Sequence, residues 1–139
     1  MSSVIAFSEA ASLALHSMAV IAREKELPVS LTRITTSTGV SSTHLAKVLQ
    51  RLVKAGLLLS TRGPKGGFET ARPLEAISLL DIYEAIEGPM EVRSCLFSSG
   101  SCPFGFDRCL FGNLLDETNR TFRDYLAATT LDRLTREGA

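Results

Sequence analysis

The sequence predicts a mainly α fold: a winged helix-turn-helix with a two-stranded β-wing and a long C-terminal dimerisation helix. Three observations carry that prediction. Apolar residues recur at helical spacing along most of the 139 residues. Two short helical stretches meet at Gly39, and the second has a strongly polar face. Directly after it, two strand-like stretches flank a glycine-rich loop, Arg62-Gly63-Pro64-Lys65-Gly66-Gly67.

The first helix is expected from about Ser8, an N-cap residue type, to about Lys25, with Leu13, Ser17, Val20 and Ile21 on one face. Pro28 interrupts the pattern, and a short helix follows Ser30, with Leu31 and Ile34 directed inward. The next helix is the best specified. Ser41 is its N-cap, and Val40 and Leu45 are spaced for a hydrophobic staple. Leu45, Val48, Leu49, Leu52 and Val53 then form one apolar stripe, and Gly56 supplies the left-handed stop. Leu57 to Thr61 and Phe68 to Ala71 read as the strands of a hairpin. Ser78 caps a helix running from Leu79 to Glu87, stopped by Gly88-Pro89. A longer amphipathic helix is expected from about Leu110 to Ala128, with Leu114, Leu115, Phe122, Tyr125 and Leu126 apolar. That helix follows an already complete winged domain, so its apolar face needs a partner, and a second subunit is the simplest one.

Composition excludes several classes. No apolar run approaches the roughly 20 residues of a membrane span. The segment Met1 to Ala10 lacks a basic start and contains Glu9, unlike a secretory signal. A cytoplasmic location is therefore expected, with reduced thiols. An enzyme is disfavoured: there is no glycine-rich phosphate loop, the only histidines are His16 and His44, and nothing pairs a nucleophile with a base. Net charge is formally +0, but its distribution is uneven. Between Ser41 and Arg72 lie Lys47, Arg51, Lys54, Arg62, Lys65 and Arg72 against Glu69 alone, whereas Pro73 to Glu91 carries five acidic residues and no basic one. A basic face backed by an acidic one suits phosphate docking, because counterion release is local to the contact.

Helix-turn-helix geometry places the N-terminal part of the second helix in the major groove, here Ser42, Thr43, His44 and Lys47. Arg51 lies a turn further on, within reach of a phosphate. Arg62 and Lys65 at the wing tip suit an adjacent minor groove. Ser30 and Thr32 open the preceding helix, where hydroxyls and unpaired N–H groups can hold a backbone phosphate.

The other chemical feature is a trio of cysteines, Cys95, Cys102 and Cys109, with six residues between neighbours and no fourth. An odd number of thiols in one loop cannot form a closed disulfide set, but thiolates can hold iron. Gly100, Pro103 and Gly105 interrupt regular structure, which lets a short loop fold around a cluster. A structural zinc site and three unrelated thiols are the alternatives, although zinc favours pairs two to four residues apart.

Three stretches, Val40-Ser-Ser-Thr-His-Leu-Ala-Lys-Val-Leu, Leu52-Val-Lys-Ala-Gly-Leu, and Thr61-Arg-Gly-Pro-Lys-Gly-Gly-Phe with Ala71-Arg-Pro, resemble the Rrf-two family of winged-helix regulators. The similarity extends over Ile77 to Gly88, the cysteines and Leu126 to Leu134, and is most specific in the wing. The resemblance implies a homodimer on a near-palindromic double-stranded DNA operator, with the long helix crossing between subunits. It further implies a regulator, expected to be a repressor, whose affinity follows an iron–sulfur cluster (2Fe–2S or 4Fe–4S) responding to redox state, nitric oxide or iron status. A cluster-free regulator using the thiols as a redox switch, or answering a protein or metabolite partner, is the alternative.

The chain departs from the family's branches at three positions. Ala46 replaces an acidic residue of the IscR type in the recognition helix, so base preference does not carry over, and Thr43-His44 looks closer to the NsrR type. Gly112 stands where the IscR type has a histidine, and Ser12 where the NsrR type has an aspartate. The fourth ligand is then expected from the partner's first helix. Glu9, Ser12 and His16 share one helical face there; His16 leads, followed by Glu9, with Asp107 in the loop as a further possibility. The expected division is residues 1–90 for the winged domain, 91–109 for the cysteine loop and 110–139 for the dimerisation helix and tail.

Overall fold

The structure is a computed structural model and describes residues 5, 7–91, 95, 102–105 and 109–137. It is mainly helical with one two-stranded antiparallel sheet, as expected. Helix α1 (Glu9–Arg23) is capped by Ser8, whose Oγ accepts from the Ala11 amide. Helix α2 (Leu31–Thr38) begins at Ser30, whose Oγ accepts from the Arg33 amide, and ends on Gly39 with φ 70°. Helix α3 (Ser42–Lys54) begins on the predicted cap Ser41, and Gly56 takes φ 78° just beyond its end. Strands β1 (Leu58–Thr61) and β2 (Gly67–Thr70) pair with Leu58 opposite Thr70 and Thr61 opposite Gly67. After a single 3-10 turn (Leu74–Ala76), α4 (Leu79–Glu87) opens with a complete capping box between Ser78 and Asp81. That box satisfies two of the N–H groups a helix start leaves without partners.

Helix α5 (Leu114–Ala128) begins four residues later than the apolar pattern alone implies, because residues 110–112 form turns and Gly112 takes φ 56°. Where the sequence reading has only a tail, Leu131–Glu137 forms α6. A bridge between Ser78 and Thr130 returns the chain to the winged domain, and α6 packs on α1 with Leu131 fully buried.

The core is the apolar stripe of α3 (Leu45, Val48, Leu49, Leu52) set against α1 (Ala14, Met18, Ile21), Ile34 of α2 and Ile82 and Ile86 of α4. The basic face of α3 is thereby left outward. Val29 adds a third partial strand, exchanging both backbone hydrogen bonds with Phe68 at 2.8 Å.

One polar atom in this core has no partner: the Oγ of Ser17, on a side chain with no solvent exposure. A buried hydroxyl without a hydrogen bond costs roughly 1–3 kcal/mol. Ser17→Ala is therefore expected to stabilise the chain by about 1 kcal/mol, read as a raised urea midpoint at unchanged slope. A lowered midpoint would show that the hydroxyl is satisfied.

Candidate DNA interface and cysteine segment

The two sets of predicted residues occupy different regions. Ser42, Thr43 and Lys47 stand exposed on the first turns of α3. His44 is half-buried, and its Nε2 is enclosed without a hydrogen-bond partner. Ser30 and Thr32 are exposed at the start of α2, with the Ser30 Oγ engaged as the cap. Arg62 and Lys65 are exposed on the wing.

The wing's shape is set by glycines for steric reasons. A Cβ on Gly66 would lie 2.1 Å from the Thr61 carbonyl oxygen, and one on Gly67 would lie 2.2 Å from that of Val29. The Gly66 amide closes the tip on the Gly63 carbonyl at 2.9 Å, and Gly63 holds φ 105°. This pair of backbone approaches gives a physical reason for the Gly66-Gly67 doublet and holds Arg62 and Lys65 on a short, tight tip.

Arg51 is placed differently from its neighbours on α3. Its guanidinium donates to the Ile86 carbonyl at the C-terminal end of α4. The last carbonyls of a helix have no intrahelical donor and carry partial negative charge, so a cation there satisfies an acceptor and the helix dipole together. The helical face that suggests a phosphate contact for Arg51 carries no information about an acceptor 35 positions away.

None of the three cysteines is in a disulfide; Cys102 and Cys109 are exposed and Cys95 is half-buried. Asp107 lies outside the described residues, as does much of the cysteine segment. Among the described residues, no group of three His, Cys, Asp or Glu side chains converges on a metal position. The remaining predicted ligands lie on α1. His16 is exposed, and its Nδ1 is 2.7 Å from the Ser12 carbonyl oxygen. A carbonyl only accepts, so Nδ1 is the donor in this contact, and in the neutral ring Nε2 then holds the lone pair. Glu9, Ser12 and His16 line one side of a groove of about 630 Å³, bounded opposite by Ser37, Thr38 and Val40.

The α1 N-terminus, the end of α4 and α5 are tied together. The Phe7 ring meets Tyr83 edge-on at 5.4 Å and Phe122 at 5.6 Å, and Ser8 donates to the Glu87 carboxylate. Burial, and secondarily the charge of Glu87, raises the pKa of the Tyr83 phenol above its ordinary value. Individual large apolar side chains of α5 and the turns before it are uncovered in the single chain, among exposed polar residues such as Glu117 and Arg120: Leu110 is 87% exposed, Leu114 57% and Tyr125 62%.

A helix-turn-helix followed by a basic, glycine-built wing defines the class of winged-helix DNA-binding proteins. The chain belongs to the Rrf2 (Rrf-two) family, described as iron-dependent transcriptional regulators, whose model matches residues 7–137. It is 33% identical over 106 residues to an HTH-type transcriptional regulator of Neisseria meningitidis, covering 76% of this chain and 70% of that one. It is also 33% identical over 122 residues to the HTH-type transcriptional regulator IscR of Pectobacterium carotovorum, covering 88% and 69%. Among solved structures, CymR, the global cysteine regulator of B. subtilis, superposes with TM-score 0.79 at 25% identity over 96% of this chain and 98% of that one. IscR of T. potens superposes with TM-score 0.76 at 25% identity over 98% and 90%. The protein is thus a winged-helix transcriptional regulator.

Proposed function

We propose that this regulator binds a near-palindromic operator as a homodimer, and that an iron–sulfur cluster on Cys95, Cys102, Cys109 and His16 sets its affinity. The observation that carries the reading is the donor set. Three thiols lie outside any disulfide, and the imidazole of His16 has its Nδ1 proton committed to a backbone carbonyl. That commitment orients the ring and leaves Nε2 as a ligand atom, the usual arrangement of a metal-binding histidine. Soft thiolates with one imidazole fit iron–sulfur chemistry. The family resemblance places the fourth ligand on the first helix of the partner subunit, so His16, exposed on α1, is assigned to the partner's cysteines. The uncovered side chains of Leu110, Leu114 and Tyr125 support the same pairing of subunits.

On DNA, Ser42, Thr43, His44 and Lys47 meet base edges in the major groove, Arg62 and Lys65 enter the minor groove, and Ser30 and Thr32 hold a phosphate. Turning the His44 ring outward gives its enclosed Nε2 a partner, which favours the bound rotamer. When bound, a 2Fe–2S or 4Fe–4S cluster supplies a centre open to oxidation, nitrosylation or loss, and so a difference between two states of the cysteine segment. Only such a difference can shift DNA affinity. The loaded protein is proposed to repress.

Two measurements test this. Arg62→Ala and Lys65→Ala are each expected to weaken operator binding and to lower the slope of log affinity against log salt by about 1. Unchanged slopes would remove the wing from the interface. Gel shifts comparing loaded and iron-free protein on its own promoter should differ in affinity, and equal affinity would refute the sensing role. A second reading is a cluster-free regulator using the thiols as a redox switch, in keeping with the likeness to CymR, which is also known in an oxidized form. Protein isolated without oxygen decides between them: iron and sulfide favour the cluster, a colourless preparation the switch.

A further inference from the structure

We infer that Arg51 is a positioning residue that clasps the recognition helix to the exit of α4, and so couples α3 to the cysteine segment, instead of contacting DNA. This rests on the proposed function insofar as that segment has two states; the clasp itself rests on geometry alone. Arg51 sits one turn from the end of α3, and its guanidinium donates to the Ile86 carbonyl. Ile86 is the penultimate residue of α4 and Gly88 is its C-cap. The chain leaving that cap is tied back onto the same helix: the Gly88 amide donates to the Glu84 carbonyl at 2.9 Å, and the Met90 amide to the Glu84 carboxylate at 3.1 Å. Glu87, next to Ile86, accepts from Ser8 at the start of α1, the helix that carries His16. The exit of α4 is therefore where the recognition helix, the start of α1 and the residues leading into the cysteine segment, Gly88 and Met90, are all hydrogen-bonded.

This arrangement has a mechanical consequence. A guanidinium held on a carbonyl at the C-terminal end of a helix follows that carbonyl when the last turn tightens or frays. Displacing the chain after Gly88 alters that turn, and Arg51 transmits the change to α3, whose angle decides how Ser42, Thr43 and Lys47 meet the groove. The same engagement removes Arg51 from the phosphate contact that its helical face implied.

Arg51→Met tests the assignment, since it keeps the apolar stem and removes every donor from an exposed position. A thermal melt establishes that the variant is folded. In a background with all three cysteines replaced by serine, Arg51→Met should lower operator affinity while leaving the salt slope unchanged. A slope lower by about 1 would make Arg51 a phosphate contact and overturn the inference. Linkage gives a measurement that does not depend on the variant folding well. In otherwise unaltered protein, operator DNA should slow amide exchange at Gly88 and Met90, because coupling between sites is reciprocal. No slowing would overturn the coupling.

With cluster loading, the affinity ratio of loaded to cysteine-free protein should be about fivefold or more with Arg51 present and within about twofold of unity in Arg51→Met. A ratio that Arg51→Met preserves sinks the coupling alone. A ratio of one with Arg51 present sinks the sensing reading and the coupling with it, while the salt slope still decides the clasp.

Discussion

Gly67→Ala is expected to destabilise the protein by about 3 kcal/mol and to abolish tight operator binding. The new Cβ would lie 2.2 Å from the Val29 carbonyl oxygen and 2.5 Å from its carbon. Both are backbone atoms, so no side chain can rotate to relieve the overlap. Relief requires β2 to separate from Val29, which breaks the two 2.8 Å hydrogen bonds between Val29 and Phe68. Those bonds contribute about 1 kcal/mol each, and the overlap left in a packed site costs a further 1–3 kcal/mol. Phe68 is buried and would lose packing as the strand shifts. DNA binding suffers for a second reason, since Arg62 and Lys65 are held by the same hairpin. Urea denaturation and an operator titration measure both effects. An alanine variant as stable as the parent would mean that Val29 and β2 are not in contact.

Replacing any one of Cys95, Cys102 or Cys109 with serine is expected to eliminate bound iron and sulfide from anaerobically isolated protein, with little change in the fold. The first expectation follows from ligand chemistry: a serine hydroxyl is a hard, weakly acidic donor and a poor substitute for thiolate on iron. The second follows from position. Cys102 and Cys109 are exposed and Cys95 half-buried, so iron-free variants should lie within about 0.5 kcal/mol of the iron-free parent. His16→Ala is expected to make the bound cluster labile and to change its absorption and circular dichroism. Ser12→Ala should have a much smaller effect, because the short His16 Nδ1 bond, 2.7 Å, runs to the Ser12 backbone carbonyl, while the Ser12 hydroxyl lies 3.5 Å from the same nitrogen. An unchanged spectrum in His16→Ala would remove that residue from the site. Iron and sulfide retained by all three serine variants would remove the cysteines.

The helix starts were legible because capping is chemistry at three-residue range. Ser8, Ser30, Ser41 and Ser78 each accept from an amide three residues on, and each was recognisable by type and by the apolar pattern that follows. The α3 stripe was legible for the same reason, as were the wing and its exposed cations. Boundaries drifted where a turn intervened, as before α5. Of the candidate interface residues, the exposure of Lys47, Arg62 and Lys65 was readable from spacing. His44 and Arg51 were not, because their surroundings come from elements distant in the chain.

By itself, the sequence determined the four serine-capped helix starts, the hairpin, the charge division between the basic stretch and the acidic one after it, and the family. These properties arise within a few residues of one another or survive as a linear pattern. Tertiary structure alone decided that residues 131–137 return to the core against α1, and that the Gly66-Gly67 doublet exists to let Thr61 and Val29 approach. It also decided that Arg51 is spent on an α4 carbonyl and that His16 Nδ1 meets the Ser12 carbonyl. Each of these depends on where a particular backbone carbonyl or a distant helix face lies. Carbonyls are identical in every residue, so no pattern of side chains can reveal which one a donor will meet until the chain has packed.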